Sequence, residues 1–299
     1  IGSIFFFFYP LSQNVFFTVG IRTAQCCFLA VIVLTYAMLA EHMPKEIGKS
    51  MGDANFSIGI GWLIGGGLSG FIYATNALLF FYFCGFISII SSIAFLFITE
   101  EKKGRIFILT SPFSLNRILE IRILCLLAFF LLTANYIIYG IFPVYMKHLG
   151  LKTEFIGILY GLSGLTGIPA VWYAGRLCDR IGRRPILFFS IFIYLFIWLC
   201  FAITENTIII SILWLIPAWS LFAPSTIAMV TDMTDEKERG RGLGLLNGSI
   251  YIGGFVGALL GGYIVDKFNF NFAFIIASFL VVLALVVGMK TKETYKTNC

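Results

Sequence analysis

The sequence predicts an all-α polytopic membrane protein, and three observations carry that prediction. Of 299 residues, 59% are hydrophobic and 17% aromatic while only 12% are charged, against about 25% charged in an ordinary soluble domain. Apolar runs long enough for a helix to cross the hydrocarbon core, about 20 residues each, follow one another along the chain. Positive charge is divided unevenly between alternating loops. This composition excludes a soluble globular enzyme. The formal charge of +6 is scattered among loops, so it does not form the contiguous basic face that a nucleic-acid binder needs.

Ile1 to Leu11 (IGSIFFFFYPL) is apolar, but at about 1.5 Å per residue it reaches only about half-way across a bilayer. It reads as the outer half of a severed helix. With no initiator Met, basic n-region or cleavage site, the chain reads as an N-terminally incomplete fragment. Spanning helices are expected at 15–40, 53–74, 77–99, 121–147, 154–175, 186–203, 207–231, 242–265 and 270–289, which makes nine crossings. Of the 21 Lys and Arg, 17 fall in loops on one side of this scheme, three on the other, and Arg22 lies within a span. Cytoplasmic loops retain positive charge, so the richer side, with the C-terminus, is expected in the cytoplasm and the chain in the plasma membrane. A missed or invented crossing would have scrambled that bias.

Shifting the sequence against itself by 192 residues aligns 48–72 with 240–264, with 11 identities in 25 positions. Asn55 meets Asn247, and Gly61 and Gly65 meet Gly253 and Gly257. Six crossings separate the copies, an even number, so both run the same way across the membrane, as in parallel repeats about an axis along the membrane normal. The expected organisation is a partial N-terminal helical bundle at 1–99, a cytoplasmic linker at 100–120 and a C-terminal six-helix bundle at 121–299. Glycines four apart let helix backbones approach closely, so Gly61, Gly65, Gly253 and Gly257 are expected at helix contacts. The asparagine pair is read as a source of interhelical hydrogen bonds.

Several chemistries find no motif. The seven cysteines and two histidines show no CxxC or Cys/His spacing, so no metal and no cofactor is expected. Neither a GxxxxGK[ST] loop nor an HExxH motif is present, which argues against ATP-driven work and against an intramembrane metalloenzyme.

At Gly175 to Pro185 the chain reads GRLCDRIGRRP. Gly175, Asp179, Arg180, Gly182, Arg183 and Arg184 meet the loop signature of the major facilitator superfamily, which the whole chain resembles as the end of helix three through helix twelve. RTAQC from Arg22 resembles the family's helix-four signature, with Cys26 where Gly is usual. GWLIGGGLSG at 61–70 resembles the fifth-helix motif of its antiporters, with Gly66 in place of Pro. The resemblance implies two parallel six-helix repeats and a secondary transporter that moves a small organic solute by alternating access. Proton-coupled efflux, as in multidrug transporters, or metabolite antiport leads, with protons and membrane lipid as further partners and no nucleic acid. A nutrient uniporter or symporter for a sugar or organic acid, and a solute sensor that does not transport, remain open. The loop residues make sense as a cytoplasmic gate, in which Asp179 accepts charge-assisted hydrogen bonds from Arg180, Arg183 or Arg184, or sits near the positive end of the helix starting around Gly242.

Ionisable residues at membrane depth are expensive, about 2.5–3.5 kcal/mol at a helix centre, which singles out Arg22, with Gln25 nearly a turn later on the same face. Family geometry places 15–40, 121–147 and 207–231 around the central cavity. Asn135, Tyr136 and Tyr139 in the second, with Trp214, Trp219 and Ser220 in the third, would give surfaces able to stack a flat organic molecule. Tyr and Trp near span ends equally suit an interfacial belt.

Overall fold

The computed structural model describes residues 2–12, 14–26, 47–97, 115–234 and 238–294. Two 3-10 turns, Gly2–Phe7 and Tyr9–Leu11, precede ten α-helices. These are α1 (Val15–Cys26), α2 (Ile47–Thr75), α3 (Ala77–Phe95), α4 (Leu115–His148) and α5 (Thr153–Ile181), then α6 (Arg183–Ile203), α7 (Thr207–Trp214), α8 (Ala218–Met233), α9 (Arg239–Lys267) and α10 (Phe270–Gly288). Among the described residues there is no strand, and eight segments are long and apolar enough to cross a membrane, α7 and α8 counting together as one. In lipid every backbone polar group must find its partner inside the protein, which a helix does within itself. The expected span 15–40 is described only to Cys26; its remainder, with the loop at 41–46, lies outside the described residues.

The internal repeat is geometric as well as textual. Helices α2 and α9 have 29 residues each, and both their ends are related by 192. Helices α3 and α10 have 19 each. Helix α1 starts at Val15 and α7 at Thr207, again 192 apart. Four of the five described helices that enter from the weakly charged end share a cap, the exception being α5 after Lys152. Asn14 accepts from Phe17 N at 2.8 Å, Asn76 from Leu78 N at 2.8 Å, Asn206 from Ile208 N at 3.0 Å and Asn269 from Phe272 N at 2.8 Å. An Asn side chain at this position satisfies amides that the first turn leaves unpaired. Helices 192 positions apart thus repeat in start and in length, the form of a parallel repeat.

The described structure corrects three expectations. Residues 2–11 form 3-10 turns instead of half an α-helix, pinned by Ser3, whose hydroxyl donates to Ser88 O at 3.1 Å, and broken by Pro10, which has no N–H. Helix α4 starts at Leu115, not 121, because Arg117, Glu120 and Arg122 read as loop although charges are tolerated in the first turns of a spanning helix. The expected span 207–231 is two helices, interrupted at Leu215, Ile216 and Pro217.

Packing centres on α4, which lies against α9 and α10, while α6 packs on α10 and α8, and α5 on α8. Leu124, Leu127, Leu131, Phe142, Phe201 and Phe274 form the heart of this cluster. Helix α9 approaches α4 through glycines. A Cβ on Gly253 would stand 2.6 Å from Phe129 O, one on Gly257 2.3 Å from Thr133 O and one on Gly261 2.7 Å from Ile137 O. Helix α2 reaches the other bundle through α5, and a different glycine face does it. Gly66 lies against Gly161 and Gly70 against Gly157, with added Cβ atoms 2.8 and 2.7 Å from backbone. Gly61 and Gly65 take no part in this contact, since a Cβ on either would meet nothing within 4 Å. Their homologues Gly253 and Gly257 receive α4, whereas among the described residues α2 meets α5 through its other glycine face and no described helix lies on Gly61 and Gly65. Asn247 donates to Leu243 O of its own helix at 2.9 Å, so it makes no interhelical bond there; the Asn55 side chain lies outside what is described.

Candidate functional site

The break between α7 and α8 organises the first site. Pro217 has no N–H to continue the ladder, and the Leu215 carbonyl, which lies at the break, accepts from Thr166 Oγ1 of α5 at 2.9 Å. Irregular backbone at membrane depth persists where a neighbour satisfies it or where it borders a cavity. Trp214, the last residue of α7, stacks on Phe142 with ring centroids 3.6 Å apart and 9° between planes. Tyr139 lies 5.7 Å from the same indole on a stacked ring, and Tyr160 is 5.3 Å away edge-on. The Tyr160 hydroxyl donates to Tyr139 O at 3.2 Å. Tyr136, one turn back on α4, extends the group at 6.1 Å from Tyr139, and its ring lies against Gly254 of α9. Within this aromatic group the Trp214 Nε1 donor is buried and makes no hydrogen bond; Trp198 Nε1 on α6 is in the same condition. A buried donor without a partner costs about 1–3 kcal/mol.

The other expected solute-contacting residues are dispersed. Asn135 is half-buried on α4 beside Tyr136. Trp219 is partly exposed and packs on Phe222 at 5.6 Å. Ser220 is spent on packing, donating to Gly167 O of α5 at 3.2 Å. Arg22 and Gln25 are brought together, but with a partner outside the aromatic group. The Gln25 Oε1 accepts from Arg22 Nη1 at 2.9 Å and from the Tyr9 hydroxyl at 3.0 Å, and Tyr9 stacks on Phe81 of α3. Gln25 is 3% exposed. At the repeat offset, Arg22 corresponds to Trp214. Tyr160, Phe142 and Thr166 were not anticipated; Pro217, three residues after Trp214 inside an apolar run, was the legible signal for the break.

The second site is the loop between α5 and α6. The Arg183 Nη1 donates to Asp179 Oδ1 at 2.7 Å and to Cys178 O at 2.6 Å, and its Nε lies 3.4 Å from Asp232 Oδ2 at the end of α8. Arg183 is the arginine that meets Asp179, with a side chain only 13% exposed. Arg184 turns the other way, toward Met289 O at 3.3 Å and the Phe188 ring. Arg180 is exposed, and Gly175 faces open space. Gly182 joins the helices at φ 109°, in the left-handed region that favours glycine. Beyond α10 the chain returns to this loop. The Glu293 carboxylate accepts from the Arg183 and Arg184 amides at 3.0 Å each, and the Thr294 hydroxyl donates to Asp232 at 3.0 Å. An anion at a helix N-terminus meets free amides and the positive end of the dipole. Glu293, Asp232 and Thr294 were missed. The repeat carried a hint, since the 192-residue offset pairs Thr291 and Glu293 with Thr99 and Glu101.

A cavity of about 470 Å³ opens on α2, lined by Ile58, Gly61, Trp62, Gly65, Ser69 and Tyr160 among others. At the repeat offset Gly61, Gly65 and Ser69 correspond to Gly253, Gly257 and Gly261, the positions through which α9 receives α4. It therefore has the form of a helix seat and is a poor solute pocket.

With fold and sites in place, comparison with known proteins gives the class. A family model described as Major Facilitator Superfamily matches residues 1–222 and again 124–298. The chain belongs to that superfamily, and is an integral membrane protein. It is 31% identical over 116 residues to the uncharacterized MFS-type transporter YqjV of Bacillus subtilis, a stretch covering 38% of this chain and 28% of that protein. Against Multidrug resistance protein 2 of the same organism it is 26% identical, covering 51% of this chain and 38% of the relative. Against the quinolone resistance protein NorA of Staphylococcus aureus it is 22% identical, covering 52% and 42%. The matched stretches thus span less than half the length of these relatives. A crystal structure of a bacterial homologue of the human lysosomal transporter Spinster superposes with a TM-score of 0.73 at 15% identity, over 97% of this chain and 79% of that one. That likeness is one of fold.

Proposed function

We propose that this chain forms the helix-three-to-twelve part of a secondary transporter that moves a small, flat organic solute by alternating access, by proton-coupled efflux or metabolite antiport across the plasma membrane. The observation that carries the reading is Trp214. It stands at a helix break, inside an aromatic group, with a buried N–H lacking a partner, and discontinuous helices near the midplane are where such folds hold solutes. The aromatic rings supply stacking surface, and the indole supplies one directional hydrogen bond to an acceptor on the solute. The Asp179–Arg183–Asp232 network and the Glu293 tail tie α5, α6, α8 and the segment after α10 together at the basic end, which suits a cytoplasmic gate with the C-terminus on the same side.

The test is flux in everted membrane vesicles containing the intact gene product, read with flat aromatic dyes. Dye movement that collapses on addition of a protonophore, and that falls severalfold in correctly inserted Asp179→Asn, is the expected result. Inserted protein that moves no dye under any imposed gradient overturns the reading.

A further inference from the structure

Helix α5 holds the break between α7 and α8 from both sides. Ahead of Pro217, Thr166 Oγ1 donates to Leu215 O at 2.9 Å; after it, Ser220 Oγ donates in the opposite direction, to Gly167 O at 3.2 Å. Neighbours in sequence on α5 thus grip the two ends of the interruption. Between those ends the chain folds tightly. Ala218 N donates to Ile216 O at 2.9 Å, and Pro217, at φ −83° and ψ 60°, is the centre of an inverse γ-turn. A turn closed over three residues leaves the direction of α7 against α8 to the side chains that span it. Gly167 lets them in close, since a Cβ there would stand 3.3 Å from Ser220 Oγ.

The Thr166 hydroxyl has one proton and two acceptors in reach, because Ser163 O of its own helix lies at 3.1 Å. It can therefore release the Leu215 carbonyl without stranding its own donor. Trp214 directly precedes Leu215, and Tyr160, edge-on to its indole, belongs to α5 as well. We propose that Thr166 and Ser220 are positioning residues for Trp214: they set the angle of the break and with it the direction of the buried indole N–H, and Thr166 can let go by returning its proton to α5. The proposal rests on the reading of Trp214 as the donor that meets the solute, and it deepens that reading by naming what aims the donor. Neither hydroxyl touches the solute. Ser220, a residue type that suits solute contact, acts through the backbone instead.

The test is fluorine NMR of the intact gene product, labelled with fluorotryptophan in nanodiscs, with the Trp214 resonance assigned by its loss in Trp214→Phe. Trp198 is the internal reference, because its N–H is likewise buried and unpartnered but it belongs to α6 and packs on Tyr194 and Phe201. Thr166→Val keeps the shape and removes the donor. It is expected to displace or split the Trp214 resonance, to leave Trp198 in place and to weaken binding of acridone, a flat ring system with one carbonyl acceptor, by about fivefold. Thr166→Ser restores both readouts. Ser220→Ala displaces the same resonance from the other side of the break. A Trp214 resonance that stays in place in both variants, a Trp198 resonance that moves as far, or a displaced Trp214 with unchanged acridone affinity overturns the proposal. Wild-type protein that binds no acridone overturns the solute reading instead, and the resonances still decide whether α5 positions Trp214.

Discussion

The carboxylate of Glu293 closes the N-terminus of the helix that begins at Arg183, 110 positions earlier in the chain, with one oxygen on each of two successive amides. The same carboxylate stands where a side chain at Gly182 would have to go, 2.8 Å from its Cβ. Helix start, left-handed glycine and C-terminal segment are therefore one structural unit.

Gly182→Ala is expected to destabilise the folded protein by about 1–3 kcal/mol, since it adds a strained positive φ to a steric conflict with Glu293. A thermal unfolding midpoint in detergent that stays at the wild-type value would contradict this.

Glu293→Gln keeps the shape but removes the charge that favours the helix terminus. Amide hydrogen exchange at Arg183 and Arg184 is expected to accelerate by about tenfold, with the midportions of α6 unchanged. Exchange that rises equally along the whole helix would mean that the carboxylate acts on global stability and not on this junction.

These two predictions rest on a contact the sequence alone did not reveal, and the reason is instructive. Helix spans, the charge asymmetry and the 192-residue repeat are all local or periodic signals, and they place α9 and the Asn-capped turns to within three residues, while α2 and α4 each start six residues earlier than expected. Glu293 binds amides, which every residue but proline carries, so nothing in the residue types of its partners marks the pairing. The Gly66 and Gly70 face was missed for a related reason, since which glycines pack depends on which helix lies opposite, and on α2 these two meet α5. In the aromatic group, Tyr139 and Trp214 were legible as residue types on expected cavity helices. Tyr160 was not, because its part depends on the crossing of α5 with α4.

Gly161→Val places a branched side chain where Cβ alone would stand 2.8 Å from the Gly67 amide and Leu63 carbonyl. Overpacking of that kind costs about 1–3 kcal/mol, so the α2–α5 seam is expected to part. Cross-linking between cysteines introduced at Ile60 and Leu165, just outside the glycine contact, should change in yield while membrane insertion stays normal; an unchanged yield argues that the seam tolerates the bulk by local adjustment.

Trp214→Phe retains a ring against Phe142 and deletes the unpartnered N–H. If that donor meets the solute, affinity falls by about tenfold while thermal stability holds or rises, because an unsatisfied buried group has gone. A variant with unaltered affinity would show that Trp214 contributes only its ring.

The amide caps at Asn14, Asn76, Asn206 and Asn269 bear on how the protein is made. In the proposed orientation each ends or flanks a turn that is carried through the bilayer during insertion, and each satisfies the exposed helix amides with a neutral group instead of a charged one. Threading such short, sparsely charged turns costs less than moving the arginine-rich helix junction at 176–184. The division of labour between amide caps at one end and the carboxylate-arginine junction at the other thus makes one orientation kinetically easy to reach before any tertiary contact has formed.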